Sequence, residues 1–176
     1  MTLRQMPPSS GAWMPRQRWY AAKGRIPSLR LIAWWDLPAE NCQVRTYLVA
    51  DEGALPVVLY QLPIVARATA TVDASPDHII GSPEPGTTFI DRPFDPAYAR
   101  ALLDLVTHGG TGQGPSATAT GVPSAAETPT TGLRGSVLTG EQSNTSLIFR
   151  SDAGAGPLIA KVYRQLHPGL NPDIEL

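Results

Sequence analysis

One stretch of the sequence, from Gly109 to Gly132, limits what this chain can fold into. It contains no leucine, isoleucine or aromatic residue and one charged residue, Glu127. Such a segment buries too little apolar surface to offset the entropy cost of ordering it. The composition predicts a flexible linker, although an ordered loop lying on the fold would also fit it. The linker would leave two apolar parts, residues 1–108 and 133–176, in a chain with room for one ordinary domain or two small ones.

The overall composition excludes several classes of function. The net charge is −1, so the chain lacks the basic field that holds a nucleic-acid backbone. The single cysteine, Cys42, excludes an internal disulfide framework and a cysteine-based zinc site. The apolar runs are too short to span a membrane, and residues 1–15 lack the apolar core of a secretory signal. We therefore expect a cytoplasmic protein with neither membrane nor nucleic-acid partners.

Three apolar runs before the linker predict an antiparallel β-sheet. They cover residues 29–35, 44–50 and 57–65, and they are rich in β-branched and aromatic side chains. Residues 51–54 (DEGA) have the composition of a hairpin loop. Pro63 lacks a backbone N–H, so we expect it to end the third strand or to place that strand at a sheet edge.

A helix is predicted after the sheet. Asp95 suits the N-cap position and Pro96 the first helical position. Apolar residues then recur with helical spacing as far as Val106, and Gly109 can end the helix. Strands alone, followed by one helix, indicate an α+β fold for residues 1–108.

After the linker, short strands are predicted at residues 136–138, 146–150 and 158–163, with a turn at 152–156. Residues 171–176 have the composition of a first helical turn, with Asn171 as its N-cap. No metal site is expected, because His78, His108 and His167 are far apart in the sequence.

The segment from Gly140 to Lys161 contains the groups most suited to binding a phosphate. Gly140 permits close backbone approach, and Ser143, Asn144 and Thr145 offer side-chain donors between two strands. Lys161 interrupts an apolar strand, where burial of an unpaired ammonium would be costly. The loop matches neither G-x-G-x-x-G nor a Walker motif. An ordinary hairpin with a solvent-facing lysine on an edge strand therefore stays open beside the phosphate interpretation.

Five aromatic residues near the N-terminus could stack on a sugar or form a hydrophobic core. Because aromatic rings bury the largest areas in cores, we favour the core interpretation. The five are Trp13, Trp19, Tyr20, Trp34 and Trp35.

Four segments resemble the actinobacterial maltokinases, which are relatives of the aminoglycoside-phosphotransferase-like kinases. They are residues 13–25 (WMPRQRWYAAKGR), 140–146 (GEQSNTS), 160–166 (AKVYRQL) and 168–175 (PGLNPDIE). The resemblance implies an antiparallel β-sheet cap domain with a helix (1–108), a linker (109–132) and the first strands of a protein-kinase-like N-lobe (133–176). Glucosamine kinases with a similar cap are close relatives of this family.

The resemblance also implies an activity and a set of site residues. Maltokinases use ATP and Mg²⁺ to convert maltose to maltose 1-phosphate for α-glucan synthesis. By this resemblance, Lys161 would bind the phosphates of ATP and Glu175 would pair with Lys161. The remaining ATP-binding residues would be Gly140, Gln142, Ser143, Asn144 and Thr145.

The sequence departs from this family in its catalytic residues. After Lys161 its only acidic residues are Asp173 and Glu175, whereas such kinases need an orienting aspartate and metal ligands from a second lobe. We therefore expect a truncated kinase, inactive and binding ATP weakly on its own. Its partner would be a C-terminal lobe in the same or a separate chain. The alternative is a non-catalytic interaction or regulatory module.

Overall fold

A computed structural model describes residues 6–91, 93, 95–123, 133–138, 144–151, 156–167 and 169. The helices are α1 (Ser10–Trp13) and α2 (Pro96–His108), with 3₁₀ turns at Met14–Arg16, Thr69–Thr71 and Pro76–His78. The first seven strands are β1 (Leu29–Leu37), β2 (Gln43–Asp51), β3 (Val58–Ala68), β4 (Ile79–Glu84), β5 (Thr87–Asp91), β6 (Thr111–Gln113) and β7 (Thr118–Thr120). They are followed by β8 (Leu133–Leu138), β9 (Asn144–Ser151), β10 (Leu158–Tyr163) and β11 (Gln165–Leu166).

The described strands form two antiparallel sheets. In the large sheet the order is β4-β5-β3-β2-β1-β6-β7, and β11 also pairs with β3. In the small sheet the order is β10-β9-β8. This mostly antiparallel architecture with few helices confirms the predicted α+β class.

Strand β3 runs through Pro63, so the prediction that this proline ends the strand or marks a sheet edge is wrong. One edge of β3 pairs with β2 from Val58 to Ala66, on both sides of Pro63. The other edge is divided: Gln61 donates its N–H to the carbonyl of Arg164, and pairing with β5 begins at Ile64. Pro63 lies in the gap between these two partners, where no hydrogen-bond donor is needed.

The N-terminal segment covers one face of the large sheet. Trp13, Trp19 and Tyr20 are buried there against Tyr60 of β3, with ring centroids of Trp19 and Tyr60 5.8 Å apart. The core interpretation is confirmed for these three residues of the N-terminal segment. Trp34 packs against the same cluster, whereas Trp35 packs on the opposite face.

Helix α2 and the small sheet cover the other face of the large sheet. Val44 and Val65 contribute to this core from the large sheet, Tyr98 from α2 and Phe149 from β9. Alternate residues of β2 and β3 therefore belong to different cores. This explains why both strands are buried almost throughout instead of alternating between buried and exposed residues.

The predicted ends of α2 are confirmed. The side chain of Asp95 accepts a hydrogen bond from the Ala97 N–H at 2.8 Å, and Pro96 opens the helix. Gly109 ends it with a left-handed backbone, φ 66°. Arg67 of β3 makes two hydrogen bonds of 2.7 Å to the Asp95 carboxylate. The start of the helix is thereby fixed to the large sheet.

The expectation of a flexible linker is wrong for residues 111–120, which form the β6–β7 hairpin. Gln113 pairs with Asp36, so the hairpin extends the large sheet beyond β1. Its glycines are needed for close approach: a Cβ on Gly114 would lie 1.7 Å from the Trp34 carbonyl oxygen. A Cβ on Gly121 would lie equally close to the Leu105 carbonyl oxygen. Composition alone does not distinguish this use of glycine from flexibility.

The strands predicted after residue 132 are confirmed, and β10 has the expected bounds. The predicted turn at 152–156 and helix start at 171–176 lie largely or wholly outside the described residues. The division into domains at residues 108 and 132 stays a prediction, although β6, β7 and β11 extend the large sheet past residue 108.

Candidate functional site

The candidate site is the outward face of the small sheet, which we call the lysine face. On β10, Val162 is buried in the core, while the alternate residues Ile159 and Lys161 are exposed. Leu138 of β8, Ser146 of β9 and Lys161 lie directly opposite one another in one cross-strand row. Side chains opposite each other in an antiparallel sheet share a face, so these three lie side by side, with Ser146 buried between two exposed neighbours.

The neighbouring row of the lysine face is more apolar. Ile148 of β9 lies between Ser136 of β8 and Ile159 of β10. Ile159 is 63% exposed and Leu138 is 48% exposed. The lysine face therefore combines one ammonium group with an exposed aliphatic surface.

Lys161 is not buried, so the argument from the cost of burying an ammonium does not apply to it. Strand β10 is apolar because its other face packs on α2 and the large sheet, and it pairs with β9 along one edge. The structure agrees with the sequence interpretation of an exposed lysine on an edge strand. Exposure means that the Lys161 side chain is in contact with solvent.

Two of the other predicted phosphate-binding residues lie in the described part of the chain. Asn144 begins β9 opposite Tyr163, and Thr145 follows it opposite Val162. The Thr145 side chain is buried, so it lies on the core face and not on the lysine face. Gly140, Gln142, Ser143 and Glu175 lie outside the described residues.

The structure adds Arg164 to this end of the small sheet. Its side chain is completely buried, and its Nε–H donates to the Thr145 hydroxyl at 3.1 Å. Two guanidinium nitrogens each lie 2.8 Å from a different carboxylate oxygen of Asp91 on β5. The guanidinium carbon lies 5.1 Å from the centre of the Trp19 ring. Sequence reasoning missed this residue, because an arginine after a strand gives no signal of burial.

A second buried carboxylate, Asp51, is the last residue of β2 and stabilises that end of the strand. It accepts hydrogen bonds from the Tyr20 hydroxyl at 2.9 Å, from Arg25 at 2.6 Å and from the Ser28 N–H at 3.0 Å. Burial, followed by the hydrogen bond to Asp51, raises the pKa of Tyr20 to about 12. These partners satisfy the carboxylate, so Asp51 has a structural role.

One cavity of about 200 Å³ opens between α2 and the small sheet. Its lining is mostly aliphatic and includes Leu102, Val106 and Ile159. It carries no charged group, so it offers nothing to hold a phosphate.

The chain offers no metal site in the part that the structure describes. No three or more histidine, cysteine, aspartate or glutamate side chains are grouped there for a metal ion. No helix among those residues combines the length and the apolar character needed to cross a membrane.

Comparison with known families finds a match for the part of the chain that forms most of the large sheet. Residues 13–95 match the family described as the maltokinase N-terminal cap domain. Residues 13–95 are therefore similar to a maltokinase N-terminal cap domain, and we call them the cap domain. The cap domain includes the N-terminal aromatic cluster, β1 to β5 and the N-cap of α2, and the small sheet follows it in the chain. No solved structure matches the chain.

Proposed function

We propose that this chain provides the cap and the ATP-facing strands of a maltokinase-like sugar kinase. The observation that carries the proposal is the lysine face: an exposed lysine on a three-stranded sheet that follows the cap domain. In protein-kinase-like enzymes, a lysine on the third strand of such a sheet binds the phosphates of ATP. Lys161 lies on β10, the third strand of the small sheet in chain order, and we assign it the same role.

The surroundings of Lys161 support a nucleotide as its ligand. Leu138 lies two positions across the sheet from Lys161, and Ile159 lies two residues before it on the same face. Exposed aliphatic groups can pack against a nucleobase while the ammonium attracts the phosphates. A free inorganic anion would use the ammonium alone and would leave this apolar surface uncovered.

In the proposed reaction, the C1 hydroxyl of maltose loses its proton and its oxygen bonds to the γ-phosphorus of ATP, while the bond to the β–γ bridging oxygen breaks; the products are maltose 1-phosphate and ADP. Glucosamine is the alternative acceptor. The described residues offer no cluster for Mg²⁺, so we derive no metal-dependent step from them. We propose that a C-terminal lobe, in the same or a separate chain, provides the acceptor site, the orienting aspartate and the metal ligands. The 176-residue chain then binds ATP weakly and transfers no phosphate alone.

The test is an NMR titration of the isotope-labelled chain with ATP, which detects weak binding. The chain has two lysines, so Lys23→Ala is the matched control for Lys161→Ala. We expect the wild type and Lys23→Ala to show ATP-dependent shifts around β10, and Lys161→Ala to lose affinity by roughly tenfold or more, the effect of one charge-assisted contact. Equal affinities of the two variants would contradict the assignment of Lys161.

A kinase assay with maltose and with glucosamine tests the second part of the proposal. We expect no turnover from the 176-residue chain, and turnover when a C-terminal lobe is supplied. Turnover by the chain alone that disappears in Lys161→Ala would show that its own residues complete the catalytic site. Absence of ATP-dependent shifts in the wild type would favour the alternative, a non-catalytic interaction module.

A further inference from the structure

The buried Arg164 joins three segments that are distant in the sequence. Thr145 belongs to β9 of the small sheet, Asp91 ends β5 of the large sheet, and Trp19 belongs to the N-terminal segment. Arg164 itself lies between β10 and β11, where the chain passes from the small sheet to the large one. Its side chain is therefore the charged contact between the cap domain and the start of β9.

The backbone of Arg164 strengthens the same junction. Its carbonyl accepts a hydrogen bond of 2.8 Å from the N–H of Gln61 in β3, and Gln165 then pairs with Tyr60. The backbone is thus held by the large sheet while the Nε–H holds Thr145 of the small sheet. A displacement of β9 relative to the cap domain would break one of these contacts.

Stability alone gives a weak reason for this ion pair. Removing both charges from water is costly, and well-packed apolar residues in place of a buried ion pair often stabilise a protein equally well. What the pair adds is a fixed geometry: one terminal nitrogen of the guanidinium donates a hydrogen bond to Asp91 and the other lies in ion-pair contact with it, which restricts the direction of the Nε–H. That N–H points to the Thr145 hydroxyl.

Thr145 lies close to the proposed phosphate contact. It is adjacent to Ser146, and Ser146 is directly opposite Lys161. Asn144 precedes it at the first position of β9. The Thr145 side-chain contact therefore acts together with the pairing of β9 and β10 to position the start of β9 beside Lys161.

We propose that Arg164 is a positioning residue for the nucleotide site, holding Thr145 at the start of β9 while Asp91 fixes the guanidinium to the cap domain. The inference rests on the proposed function, since it assigns the ligand of the lysine face to ATP. ATP binding at the small sheet then stabilises the hydrogen bond between β3 and the Arg164 backbone. By reciprocity, the contact between Arg164 and the cap domain raises the affinity for ATP.

The decisive variant is Thr145→Val, which removes the hydroxyl and keeps nearly the same volume. We expect it to weaken ATP binding about three- to tenfold, the equilibrium effect of one hydrogen bond. Thr145→Ser restores the hydroxyl and should bind ATP within about twofold of the wild type. Thr120→Val, on the exposed strand β7, is the matched control and should leave ATP binding unchanged.

Amide hydrogen exchange in the wild type provides a second measurement that needs no variant. ATP should slow exchange at the Gln61 N–H, which bonds to the Arg164 carbonyl, and should leave the Gly121 N–H unchanged. Equal ATP affinities of Thr145→Val and wild type, or loss of affinity in Thr145→Ser, would overturn the positioning role of Arg164 and would not contradict the proposed function. Absence of ATP binding to the wild type would overturn the proposed function and this inference together.

Discussion

Replacing Gly114 by alanine tests whether the β6–β7 hairpin is packed on the large sheet. A Cβ at this position would lie 1.7 Å from the Trp34 carbonyl oxygen and 2.7 Å from its carbonyl carbon. Both atoms belong to the backbone of β1, which is paired with β2 and cannot move aside easily. The hairpin must shift instead, and its pairing of Gln113 with Asp36 is strained or lost.

The expected cost follows from two opposing terms. Forcing extra atoms into a packed site costs about 1–3 kcal/mol, and replacing glycine stiffens the unfolded chain, which returns roughly 0.4–1 kcal/mol. The middle of these ranges leaves a net destabilisation of about 1 kcal/mol, which lowers the melting temperature by roughly 2–4 °C in a chain of this size. If residues 111–120 were a flexible linker, Gly114→Ala would only stiffen the unfolded chain, and the melting temperature of the protein would stay constant or rise.

Thermal unfolding followed by circular dichroism measures this difference. Gly11→Ala is the control, because nothing lies within 4 Å of a Cβ at that position and alanine favours the helix there. Amide exchange adds a local measurement, since the Gly114 N–H bonds to the Ala117 carbonyl at 2.9 Å. If Gly114→Ala melts no lower than Gly11→Ala and the Gly114 amide exchanges freely, the hairpin is not packed and the linker interpretation was correct.

Two further predictions concern buried carboxylates. The pKa of Tyr20 is raised to about 12, so its neutral phenol stabilises the fold fully below pH 10, and this contribution is lost as the pH rises from 10 to 12. Urea unfolding against pH should show the loss in the wild type and a smaller one in Tyr20→Phe; identical profiles would refute the role of the hydrogen bond to Asp51. Asp95→Ala removes both a helix cap and the partner of Arg67, so we expect a loss of roughly 2–4 kcal/mol. Asp95→Asn keeps the cap and should cost measurably less. Equal losses of stability in the two variants would show that the cap contributes nothing.

Elements held together by local contacts could be predicted from the sequence. Strands β2 and β3, on either side of residues 51–54, and the strands of the small sheet follow from runs of β-branched and aromatic residues. Helix α2 follows from Asp95, Pro96 and Gly109, which act within one turn of the helix ends. In each case the decisive interaction lies within a few residues of the signal.

Features that depend on distant contacts could not be predicted. The order of the β6–β7 hairpin depends on the backbone of β1, which only the fold brings close to Gly114. Likewise, Asp91 and Arg164 are 73 residues apart, and neither has a neighbour in sequence that signals burial. For Lys161 the position on a strand was correct, but the exposed face became evident only when the core face of β10 was known.

The divided edge of β3 has a consequence for how the chain folds as it is synthesised. The cap domain leaves the ribosome before β11, so at first the β3 edge around Leu59 lacks the partner that Leu166 later supplies. Open strand edges invite pairing with other chains. Pro63, which offers no N–H on this edge, interrupts the row of donors that a foreign strand would need. The residue that permits the change of partner in the finished sheet therefore also makes this edge a poorer template for pairing with another chain.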